Sequence, residues 1–245
     1  MEVSRKSIIF AAILLLIKHV YVTEGGKRAV ATHRRHGKFN NKKLRIMKKL
    51  FVMAVAAMLA TVSVNAQNMF VKPMVGIDFA KYSGDVEDTK MKVGLVAGAE
   101  FGYKIAEPFA VTAGALVAMQ GSGYKDTDYT KDYKSTLTYL NIPILANYEI
   151  IPGLAIKAGL QPGFLLSAKD KGKEYYGGGW TEFDHSGTEG LKKFALSIPM
   201  GLSYEISDFV IDARYNLGLT KINDHGDGSI KNSIIMLTLG YKIPF

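Results

Sequence analysis

Residues 93–105 read VGLVAGAEFGYKI, and their alternation decides the fold. Val93, Leu95, Ala97, Ala99, Phe101, Tyr103 and Ile105 lie on one side of an extended chain; Gly94, Val96, Gly98, Glu100, Gly102 and Lys104 lie on the other. A hydropathy period of two indicates a strand with two different faces. One face is purely apolar. The other mixes charge with glycine, which weakens an ordinary wet strand but suits the crowded inside of a narrow barrel.

Seven more runs repeat the pattern, at residues 69–79, 109–119, 140–148, 154–168, 194–204, 209–219 and 235–245. Together the eight apolar faces hold 50 residues and no charge, where the chain's 22% charged content would place roughly ten. A tilted membrane strand needs about 9–11 residues, and these runs are long enough. Short turns near 106–108, 150–153 and 206–208 alternate with long polar segments at 82–92, 121–136, 169–193 and 220–233. Even strand number, short turns at one end and long connections at the other predict an all-β, eight-stranded antiparallel up-and-down transmembrane β-barrel. Tyr103, Phe109, Tyr148, Tyr204, Phe209, Tyr241 and Phe245 fall near the short-turn end of the apolar face, as an interfacial girdle would. Lipid offers no hydrogen-bond partners, so the sheet must close. Pro73, Pro143, Pro162, Pro199 and Pro244 fall inside the runs, where bulges or strand ends are expected.

Charge divides the chain in two. The 245 residues carry a formal +9, but residues 1–66 hold 13 Lys/Arg against 2 Asp/Glu, and residues 67–245 hold 18 against 20. A basic nucleic-acid domain is therefore not expected, and zero cysteine excludes a disulfide scaffold or thiolate chemistry. Residues 47–67, MKKLFVMAVAAMLATVSVNAQ, read as a secretory signal peptide: two lysines, an apolar core, and small residues before a cut after Ala66. Residues 1–46 then read as a misassigned N-terminal extension, and residues 67–245 as the barrel.

The signal ending NAQ, TYLNIPILANYE (138–149), AGLQPGFLLSAK (158–169), DARYNLGLTKI (212–222) and the terminal GYKIPF resemble the PorT-type outer-membrane β-barrel family of Bacteroidota. The resemblance implies a small barrel set in outer-membrane lipid and lipopolysaccharide. It also implies insertion by the barrel-assembly machinery, whose signal would be Tyr241 and Phe245. It implies no enzymatic activity and no cofactor. Some members resemble a protein-export factor, so export components are expected partners on one reading.

The inward face carries Lys72, Lys104, Lys157, Arg214 and Lys242 against Asp78, Glu100, Glu149, Glu205 and Asp212. Buried charges are costly unless paired, so a packed polar plug is expected, with Arg214 on Glu100 and Asp212 nearby. A narrow channel is the alternative. Tyr124, Tyr129, Tyr133, Tyr175, Tyr176 and Trp180 are candidates for surface interaction from the long segments. His185 and His225 near Ser186 and Ser229 do not make a catalytic triad by adjacency. Asp126, Asp128 and Asp132 imitate a calcium loop but have Lys131 at the glycine position and Leu137 at the last carboxylate position. No metal site is expected, and a monomer is.

Overall fold

The computed structural model describes residues 68–224 and 228–245. The leader, the extension and His225 lie outside the described residues. Twelve strands follow in order: β1 (Met69–Gly84), β2 (Thr89–Lys90), β3 (Lys92–Ala106), β4 (Phe109–Tyr124), β5 (Thr130–Asn141), β6 (Ile144–Ile151), β7 (Leu154–Tyr176), β8 (Gly179–Ser186), β9 (Phe194–Ile206), β10 (Phe209–Gly218), β11 (Ile230–Tyr241) and β12 (Ile243–Pro244). They form eight antiparallel staves, with β5 and β6 sharing one stave and β11 and β12 another. β1 pairs with β3 on one side and with β11 and β12 on the other, which closes the ring. Every wall strand thus has two neighbours, as a sheet in lipid requires.

The apolar face points outward. Val93, Leu95 and Ile105 are 60%, 61% and 59% exposed, while Val96 and Glu100 between them are 1% and 0%. A soluble barrel would bury the former set; this one presents it to the surroundings. The aromatic residues near the short turns are exposed too, apart from the half-buried Phe245, and Phe109–Tyr148 and Phe209–Tyr241 pack at 5.0 and 5.2 Å between ring centroids. A second aromatic level, Phe164 against Phe194 at 5.7 Å, stands further up the wall.

Glycines let the wall come close to what fills it. A side chain on Gly102 would overlap the Phe70 ring, and one on Gly94 would overlap the Asp78 carboxylate.

Three expectations need correction. The prolines do not all make bulges or strand ends. Pro73 lies opposite the break between β11 and β12, and Pro162 lies opposite the break between β5 and β6 that contains Pro143. Pro199 falls where the β7–β9 pairing skips Gly159 and Leu160 at unchanged register. Each missing N–H interrupts one ladder while the neighbouring ladder continues. The single bulge in the upper part of β7 instead leaves Leu166 unpaired, since Thr138 meets Ser167 but Tyr139 meets Leu165. That extra residue reverses the parity, so Ala168, expected outward, is buried inside.

The third correction concerns the long connections, of which 121–136 and 169–193 are largely sheet. β7 runs for 23 residues, about twice the span a membrane needs. Above the wall it pairs with β5 on one side and turns back as β8 on the other. Both faces are wet there, so the alternation of polarity disappears although the hydrogen-bond ladder continues. Tyr124, Tyr133, Tyr175, Tyr176 and Trp180 therefore stand on strands; only Tyr129 stands in a turn.

Candidate functional site

Two regions stand out, one inside the wall and one above it. Inside, Lys72 and Glu100 lie directly opposite each other on β1 and β3. Lys157 comes from β7, and Asp212 and Arg214 share the inward face of β10. All five are at least nine-tenths buried. Arg214 grips Asp212 with two bonds, Nε to Oδ1 at 2.6 Å and Nη2 to Oδ2 at 2.8 Å, and its Nη1 lies 2.5 Å from Glu100 Oε1. Lys72 Nζ bridges Glu100 Oε2 at 2.9 Å and Asp212 Oδ2 at 3.5 Å. Lys157 Nζ donates to Asp212 Oδ2 at 2.5 Å. Three cations thus enclose two carboxylates.

Small residues make the space. Gly114 stands beside Glu100 and Gly201 beside Arg214 in the wall, and a side chain at either would collide with its neighbour. Met74, Val96, Leu116, Ala118 and Met236 pack as an apolar cluster inside the same lumen. Arg214 on β10 reaches Glu100 on β3, and Asp212 on β10 is reached by Lys72 from β1 and Lys157 from β7, so the pairs tie non-adjacent staves together.

The other inward charges do not join this cluster. Lys242 donates to both oxygens of Glu205 at 2.7 and 2.6 Å near the mouth, with its ammonium 5.0 Å from the Phe70 ring centroid. Glu149 accepts the Gly153 N–H at 2.8 Å. Lys104 has no ion pair within 4 Å among the described residues and lines a cavity of about 80 Å³ at this mouth. Asp78 is fully buried toward the other end, also without an ion pair among the described residues. Tyr241 donates to Asp208 Oδ2 at 3.1 Å, and the Phe245 N–H donates to Met69 O at 3.0 Å, which fastens the chain end to β1.

Toward the hairpin end the lumen changes character. Tyr82, Leu137, Tyr139, Leu165, Ala168 and Ile222 form a buried apolar cluster inside the barrel, with Val86, Tyr124, Leu191, Ala195 and Ile230 packed on it. Tyr82 Oη donates to Ser135 Oγ at 3.1 Å. Sequence reasoning missed this plug. Its signal was present, because Leu137 and Tyr139 alternate with Thr136 and Thr138 in the reverse phase. Below it, Gln120, Asn141, Gln161, Asn216 and Asn232 surround a cavity of about 20 Å³, room for about one water molecule.

Above the wall, Tyr124 stacks on Tyr133 at 4.6 Å, and Tyr133 meets Phe183 at 5.7 Å. Tyr175 and Trp180 face each other across β7 and β8 at 5.4 Å, and Lys131 Nζ lies 4.4 Å from the Trp180 ring centroid. Tyr129 and Tyr176 remain 71% and 83% exposed. Gly177 and Gly178 form the two-residue turn with φ of +62° and +87°, the conformation that a type I′ hairpin turn needs. Lys169 and Lys171 reach Asp184 at 3.0 and 3.3 Å and hold its carboxyl below the usual carboxylate range. The Asp126 carboxylate accepts the Asp132 N–H at 2.9 Å, so it serves the β5 turn.

β8 pairs with β7 alone among the described strands. Tyr176 and Gly179 close a two-residue turn, so Thr181 and Phe183 direct their backbone groups to β7. Trp180, Glu182 and Asp184 direct theirs to the open edge.

The outer membrane protein β-barrel domain family matches residues 59–224, more than half of the chain. Among solved structures, the attachment invasion locus protein Ail of Yersinia pestis is 15% identical, covering 72% of this chain and 99% of its own at a TM-score of 0.42. Neisserial surface protein A is 16% identical, with 72% and 97% coverage and a TM-score of 0.38. De novo designed transmembrane β-barrels match at 13% identity, with 73% and 98% coverage and a TM-score of 0.34. No curated protein matches. The outward apolar wall is accordingly a lipid-facing wall in the outer membrane, and the chain belongs to the outer membrane protein β-barrel domain family.

Proposed function

We propose that the protein is a cell-surface interaction barrel, closed inside and active through its raised hairpins. The observation that carries this is the open edge of β8. An unpaired strand edge recruits another extended chain by backbone hydrogen bonds. β8 has no proline, carries Glu182 and Asp184 and no Lys or Arg, and begins beside Trp180. Its partner is an extended polypeptide segment that sets a basic side chain against Glu182, since Asp184 is already engaged by Lys169 and Lys171. A second copy in the same membrane points its β8 the same way along the membrane normal, so antiparallel pairing between copies is excluded there.

The lumen supports the same division of labour. Five nearly buried charged side chains cross-link non-adjacent staves, and an apolar cluster fills the far end. Neither leaves a path for solutes, which favours the plug over a narrow channel. The PorT-type resemblance is the finer family assignment that we propose, with Tyr241 and Phe245 as the barrel-assembly signal, lipid and lipopolysaccharide as surroundings, and no catalytic role.

The edge is tested by placing a photo-crosslinking residue at Asp184 in intact cells, with and without Glu182→Pro in the same chain. Proline there removes only an outward N–H and leaves the β7 ladder intact. A crosslinked polypeptide that Glu182→Pro abolishes supports the proposal. No adduct, or one indifferent to proline, rejects it.

A further inference from the structure

We propose that the short-turn mouth of the lumen is a binding site for a small inorganic anion such as phosphate. The proposal starts from a charge imbalance. Lys72, Lys157 and Arg214 enclose only Glu100 and Asp212, so the buried cluster holds one positive charge more than its carboxylates neutralise. An uncompensated charge in a low-dielectric interior is costly, and a nearby counter-charge lowers that cost.

The structure provides a place for one. The cavity of about 80 Å³ at this mouth is lined by Lys72 and Lys157 themselves, only 2% and 7% exposed, together with Lys104 and Lys242. Two carboxylates also line it, and both are engaged: Glu205 by Lys242 at 2.6 Å, and Glu149 by the Gly153 N–H at 2.8 Å. Counted together, the cluster and the mouth hold five cations (Lys72, Lys104, Lys157, Arg214, Lys242) against four carboxylates (Glu100, Glu149, Glu205, Asp212), an excess of one positive charge. Lys104 stands there without an ion pair among the described residues. Thr112 and Asn147 add neutral polar groups to the lining; the Asn147 amide already donates to Ala110 O and Leu145 O at 3.3 and 3.2 Å. The volume suits a compact anion. This site lies at the opposite end of the barrel from β8 and does not depend on the surface proposal.

The test is calorimetric titration of inorganic phosphate into the full barrel in maltoside detergent, which contributes no phosphate of its own, against gluconate at equal ionic strength. Saturable binding of one phosphate per barrel is expected. Lys157→Met removes the excess charge and should weaken binding at least tenfold. Lys104→Met lies outside the buried cluster, so the barrel survives it, and should weaken binding several-fold; Glu149→Gln should strengthen it. Absence of saturable phosphate binding, or equal affinity in wild type and Lys104→Met, overturns the proposal.

Discussion

The two halves of the lumen are closed by opposite chemistry. Near the short turns, Arg214, Asp212, Glu100, Lys72 and Lys157 join distant strands through ion pairs. Near the hairpins, Leu137, Tyr139, Leu165 and Tyr82 do so through apolar packing. Charge is directional and needs partners; apolar contact needs only volume. The lower half therefore fixes which strand faces which. The upper half gives the raised sheet a dry base to stand on.

The largest effect is expected from breaking the ion cluster one-sidedly. Arg214→Met removes two bonds to Asp212 and one to Glu100, leaves those carboxylates to Lys72 and Lys157, and should cost about 3–5 kcal/mol of barrel stability through the lost charge-assisted bonds. Urea titration followed by the heat-dependent gel shift measures it. The double variant Glu100→Gln/Arg214→Met should lose less than the sum of its singles by at least about 0.5 kcal/mol, because the two residues are in contact. Strict additivity would mean that the pair does not couple.

Next in size comes the apolar half. Leu137 is completely buried, and Leu137→Ala should cost about 2–5 kcal/mol by leaving a cavity. Combined with Arg214→Met, its effect should add to within about 0.5 kcal/mol, since distant sites without shared partners are independent. Strong coupling would show that the two halves form one network.

Smaller and local effects are expected in the raised hairpin. Gly178→Val forces a side chain into φ of +87° and should cost about 1–2 kcal/mol. Faster amide exchange in β8 with an unchanged barrel midpoint would show it. The smallest effect concerns Asp184. Its carboxyl is held low by Lys169 and Lys171, so its stabilising contribution is present above the ordinary carboxylate pKa and is lost as pH falls below it. Exchange protection of β8 should therefore weaken slightly on acidification, and Asp184→Asn should remove that dependence.

The wall was legible in the sequence because lipid imposes one rule on every outward position. Val93, Leu95, Tyr103 and Ile105 obey it, and so do their counterparts on seven other staves. The inward face obeys no such rule. Glu100 and Arg214 could be put at similar heights by counting from strand ends, yet nothing in the sequence reveals that Lys157 reaches Asp212 from the far side of β9. The extent of β5, β7 and β8 was hidden for a different reason. Residues 169–186 alternate in backbone but not in polarity, since both faces meet water. Ala168 was misplaced because one unpaired residue, Leu166, resets the phase of everything after it.

Single-channel recording in planar bilayers tests most directly whether the lumen is closed. A barrel plugged by the Arg214 cluster and the Leu137 cluster should show no stable conductance steps, and Arg214→Met should introduce at most brief, noisy openings. Stable, well-resolved steps from the wild-type protein would contradict the closed lumen and move the protein's function from its surface to its interior.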